Sequence, residues 1–158
     1  MKRMHNDFIK RASDRAKKGM LVCKGGPFGA VIVKKGVVVA EAHNEVTSSN
    51  DPTAHAEVLA IRRACRKLNT FNLRGCDIYC SSEPCPMCMG AIYWARLSGV
   101  FYACAHNDAA KAGFDDGFIY RDIKLKPSKR KIKFRQIKHK DAEQLFKLWN
   151  KIENKTLY

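Results

Sequence analysis

Apolar residues recur three or four positions apart at Met4, Phe8, Ile9, Ala12 and Ala16, a spacing that predicts an N-terminal helix closing near Gly19. The period then shortens. Ala30-Val31-Ile32-Val33 and Val37-Val38-Val39-Ala40 are β-branched runs on either side of Lys35-Gly36, which predicts a hairpin, with Asn44 just past its second strand. Gly25-Gly26-Pro27-Phe28-Gly29, ahead of it, lacks the lysine and spacing of a phosphate-cradling loop and reads as a structural turn. Asn50-Asp51-Pro52-Thr53 then supplies capping residues, and Ala56, Val58, Leu59, Ile61, Ala64 and Leu68 supply a helical stripe beginning near His55. A short strand at Cys76 to Cys80, a helix from Pro84 to Leu97 and a strand from Gly99 to Cys104 follow, with a late strand at Phe134 to Ile137 and a late helix at Asp141 to Ile152. Strands alternating with helices imply crossover connections and a sheet covered by helices, the α/β layered class. Neither a repeat nor a linker interrupts the pattern, so one domain over residues 1–158 is expected.

Composition narrows the class. A chain of 158 residues that is 46% hydrophobic can bury a core without covalent staples. Its seven cysteines are odd in number, unevenly spaced and mostly set in apolar stretches, which argues against a disulfide framework. The stretch Met1 to Ala12 lacks an apolar run of secretory length and no segment approaches a membrane span, so a soluble, cytoplasmic protein with no membrane partner is expected. The net charge of +15 is concentrated between Arg121 and Lys140, where ten of twenty positions are Lys or Arg. Such a field attracts polyanions, but Phe134 is the only aromatic within it, so it offers no stacking platform and nucleic acid is not the favoured partner.

The chemistry lies in His55-Ala56-Glu57 and, 30 positions after His55, Pro84-Cys85-Pro86-Met87-Cys88. One imidazole and two thiolates form a catalytic zinc set that leaves the fourth tetrahedral position to water. If Pro84 starts its helix, Cys85 and Cys88 share a face of the first turn, where the helix N-terminus favours thiolates. Glu57, two positions after His55, converges with it only if His55 stands at the helix start in non-helical backbone. Zinc brings the pKa of bound water towards neutrality, and the resulting hydroxide attacks an sp² carbon bearing an amine while Glu57 shuttles the proton. The plain alternative is a closed structural site with a fourth ligand from Cys76, Cys80, Cys104 or His106, which gives no reason for Glu57.

At these residues the chain resembles the cytidine-deaminase-like superfamily of zinc deaminases, and the likeness covers most of its length. Gly26 to Ala30, Asn50 to Glu57, Glu83 to Cys88, Ala91 to Arg96, Ala112 to Asp116 and the terminal Tyr158 are similar to the bacterial guanine deaminases within it. The resemblance implies a three-layer α/β/α fold around a central mixed five-stranded sheet, one Zn²⁺ per chain, and conversion of guanine to xanthine and ammonia. It also implies that Asn44 hydrogen-bonds the purine, Trp94 lines the pocket and the Asp116 carboxylate reads the guanine edge. Further, it implies a homodimer with exchanged C-terminal tails, in which Tyr158 closes the partner's pocket. Residue by residue, Asn44 equally caps a strand end, Trp94 equally belongs to a core, and Asp115-Asp116-Gly117 equally forms a turn. Two other functions compete: an adenosine deaminase acting on transfer RNA, which needs a groove for flanking nucleotides, and a non-catalytic basic zinc protein that binds nucleic acid.

Overall fold

Strand β1 (Gly29–Lys34) is buried along nearly its whole length, because alternate side chains meet helices on opposite faces of the sheet. In the computed structural model, which describes residues 2–158, Val31 and Val33 pack with Tyr79 against α1 (Lys2–Leu21) through Ala12, Phe8 and Ile9. Ala30 and Ile32 face the other way, into a core shared with Ala56, Ala60 and Ala64 of α3 (Ala56–Leu68) and Ile92 of α4 (Pro86–Trp94). Alanines four apart on one face of α3 let that helix settle close to the sheet. The expected three layers are present.

The hairpin forms as expected. Strand β2 (Val37–His43) returns antiparallel to β1 through Lys35 and Gly36, whose φ values of 50° and 78° make the two-residue turn that matches strand twist. Strand β3 (Cys76–Ser82) pairs antiparallel with β1, and β4 (Gly99–Cys104) pairs parallel with β3 after the α4 crossover. The sheet is mixed, in the order β2-β1-β3-β4, and among the described residues it has four strands where five were expected. The absent strand is Phe134 to Ile137, which is irregular and exposed. Every ladder among the described residues lies before residue 105, so this segment has no neighbouring strand in its own unit, and an isolated strand leaves its backbone groups to water.

Short helices α2 (Val46–Ser49), α5 (His106–Lys111) and α6 (Gly117–Ile123) were not anticipated from periodicity. The chain gathers into two compact units, one running to Gly117 and carrying the sheet, the other spanning Phe118–Tyr158. In the second unit Arg130 lies over the Phe134 ring at 4.7 Å, and the amphipathic α7 (Lys140–Lys151) forms where a late helix was expected.

Candidate active site

Two helix starts and one strand end meet at the carboxyl side of β3. His55 is the N-cap of α3, with φ −70° and ψ 150°, so its backbone is extended while that of Glu57 is already helical. That break resolves the difficulty of two residues two apart, and Glu57 turns inward: it is 5% exposed, and its Oε2 accepts from Cys88 Sγ at 3.5 Å. Helix α4 starts later than expected, since Pro84 precedes it, Cys85 is its N-cap and Pro86 its first residue. Proline fits there because its missing N–H is one the helix cannot use. The three-residue spacing still turns both sulfurs one way, Cys85 Sγ standing 3.5 Å from Cys88 Sγ and both 3.5 Å from His55 Nδ1.

These spacings suit a metal. A tetrahedral zinc with sulfur at about 2.3 Å and nitrogen at about 2.0–2.1 Å sets its ligand atoms roughly 3.5–3.8 Å apart. Among the described residues the metal-competent group consists of His55, Cys85 and Cys88, and none of Cys76, Cys80, Cys104 or His106 joins it. Three protein donors leave a tetrahedral ion one position for water or substrate, which disfavours the closed structural site.

The three donors also share protons with one another. The Cys88 thiol donates to Cys85 and, with the His55 ring and against the cost of burial, holds Cys85 down at about 4. The same bond pushes the donor Cys88 up, and the hydrogen bond to Cys85 raises His55. Burial raises the Glu57 carboxyl, which suits a group that must gain and lose a proton. Asp116 is raised by burial and then by the Cys85 charge, so it lies within electrostatic reach of the cluster. Asp115 Oδ1 accepts from Gly117 N at 2.8 Å, so the turn reading of this segment also holds.

Asn44 is buried beside the His55 loop, where the next residue's N–H, that of Glu45, donates to Ala54 O at 3.0 Å. Its Oδ1 accepts from Gly26 N and Val46 N, both at 3.2 Å, so the reading of Asn44 as a strand-end cap also holds. Trp94 closes α4 and is 65% exposed, which removes the core reading. Tyr158 ends the second unit, 72% exposed. Three supports were not foreseen. Asp51 Oδ1 accepts from both the N–H and the hydroxyl of Thr53 at 2.7 Å, and Thr53 O accepts from His55 N. Glu83 Oε2 accepts from His106 N at 3.1 Å, tying the cysteine loop to α5. Gly25 and Gly26 pack on Asn44.

Residues 2–104 match the family model of the cytidine and deoxycytidylate deaminase zinc-binding region. Guanine deaminase of Bacillus subtilis is 53% identical over 154 residues, covering 98% of this chain and 99% of that one. Its crystal structure superposes with a TM-score of 0.95 over 98% of each chain. A transfer-RNA-specific adenosine deaminase of Aquifex aeolicus is 51% identical over 77 residues, 49% of this chain and 51% of that one. A zinc-binding family match over the region that brings one imidazole and two sulfurs together makes this a protein of one zinc per chain, and it belongs to the cytidine and deoxycytidylate deaminase family.

Proposed function

We propose that the chain hydrolyses guanine to xanthine and ammonia, with His55, Cys85 and Cys88 holding the zinc. The supporting observation is the mutual 3.5 Å spacing of these three donors with a buried carboxylate alongside, in a chain similar over 98% of its length to a guanine deaminase. A bound zinc supplies Lewis acidity that makes water nucleophilic near neutral pH. Glu57 takes one proton of the attacking water and passes it to the purine ring nitrogen beside C2, then takes the second from the new C2 hydroxyl and gives it to the departing amine, so that water and guanine leave as xanthine and ammonia. Asp116 accepts from N1–H and the 2-amino group, a donor pair that adenine and cytosine lack. Asn44 hydrogen-bonds the base and Trp94 flanks it. Both compact units act as one domain over residues 1–158, in a cytoplasmic homodimer whose exchanged tails bring Tyr158 to the partner's pocket.

The test is ammonia release from guanine by zinc-loaded protein, beside inosine formation in an anticodon stem-loop. Turnover of guanine is expected; inosine formation without it would overturn the free-base reading. Glu57→Gln is expected to retain zinc by elemental analysis and to lose activity by about 10²–10⁴-fold. Near-normal turnover in that variant would remove Glu57 from its role.

A further inference from the structure

Asn44 carries an amide whose two ends are chemically opposite, so its orientation determines which substrates it can greet. The N–H groups of Gly26 and Val46 both donate to one end at 3.2 Å, and only the carbonyl oxygen can accept them. The amide is planar, so its NH₂ is turned away from those two donors. A β-carbon at Gly25 would lie 2.2 Å from Asn44 Oδ1, 2.6 Å from the Asn44 backbone oxygen and 2.8 Å from its carbonyl carbon. Two of these three atoms are backbone, so no side-chain rotation would relieve the overlap. A β-carbon at Gly26 would meet the Phe28 ring at 3.0 Å and Phe114 at 3.2 Å, and those two rings pack edge to face, Phe114 standing two residues before Asp116.

We propose that the Gly25-Gly26 turn is a positioning element of the base-binding site: it clamps the Asn44 amide in one orientation, so that residue 44 presents hydrogen-bond donors alone and selects a base with a ring or carbonyl acceptor at that point. This rests on Asn44 being a base-binding group. Gly25 acts through Asn44, and so its effect depends on what residue 44 is.

The experiment is a double-mutant cycle on the zinc-loaded enzyme, reading KM and kcat for guanine, zinc content and melting temperature. Asn44→Ala is expected to raise KM, and Gly25→Ala to raise KM about three- to tenfold with zinc retained, the cost of one misplaced hydrogen bond. In the Asn44→Ala background, where only the backbone overlaps are left, Gly25→Ala is expected to raise KM by less than it does alone. Full additivity overturns the clamp while leaving Asn44 in the site; a normal KM for Asn44→Ala takes Asn44 out of the site and the clamp with it. Asn44→Asp covers the case in which Gly25→Ala does not fold. It keeps an oxygen for both backbone donors but replaces the NH₂ by an acceptor, so a raised KM with the melting temperature preserved is expected. A wild-type KM in Asn44→Asp overturns the donor-only orientation.

Discussion

At the scale of single residues, the site depends on where His55 leaves extended backbone and Glu57 enters the helix. Asp51 sets that point through Thr53, and the two hydrogen bonds from Thr53 hold its exposed carboxyl below the usual value. A lowered folded pKa means the stabilising contribution is complete above the ordinary carboxylate pKa and is lost as pH falls through the lowered one, so at neutral pH the loop is fully braced. Asp51→Ala is expected to speed zinc loss to a chelator several-fold, and Asp51→Asn, which keeps the accepting oxygen, to restore most of the difference. Equal loss rates in wild type and Asp51→Ala would contradict the bracing. His55, Glu57, Cys85 and Cys88 were legible in the sequence because their spacing is local to two helix starts. The Gly25 contact to Asn44 was not, since it joins positions 19 apart across a turn whose geometry leaves no periodic trace.

At the scale of elements, the same helix starts serve folding and chemistry. An N-cap position leaves backbone in extended conformation and unsatisfied N–H groups nearby, which is where both His55 and Cys85 stand. The sheet beneath must therefore hold both helices in register, and glycine contributes to that where helix α1 meets β1. A β-carbon at Gly29 would lie 2.1 Å from Ala12 O and 2.7 Å from Ala16 N, both backbone atoms. Gly29→Ala is expected to cost about 1–3 kcal/mol in urea unfolding with the slope unchanged. Gly90 lies exposed in α4 with nothing within 4 Å of a β-carbon, so Gly90→Ala is expected to be neutral or stabilising by about 0.5–1 kcal/mol. Similar midpoints for the two variants would refute the close approach of α1. The four strands were legible because β-branched and apolar runs bounded by turn residues are a strong signal. The fifth misled because Phe134 to Ile137 has strand-like residues but no partner in its unit, and pairing is a tertiary fact that propensity does not encode.

At the scale of the whole molecule, most of the charge lies in a part of the sequence other than the one that carries the metal site. Phe118–Tyr158 carries thirteen Lys and Arg against four Asp and Glu, more than half of the net charge of +15. The zinc-binding family match ends at residue 104, ahead of that unit, so the metal site and the basic unit are distinct parts of the sequence. If the proposed tails are exchanged, each complete pocket needs Glu57 from one chain and Tyr158 from the other. A chain lacking residues 154–158 is then expected to keep zinc but lose turnover, and Glu57→Gln is expected to be inactive with its tail intact. Unfolding and refolding the two together makes hybrids in which one pocket has both Glu57 and the partner's tail. Random pairing makes half the dimers hybrid with one complete site in two, so recovery to roughly a quarter of wild-type activity is expected. No recovery, with hybrids verified by native mass spectrometry, would mean that each tail serves its own chain. Full activity of the shortened chain alone would mean that Tyr158 closes nothing.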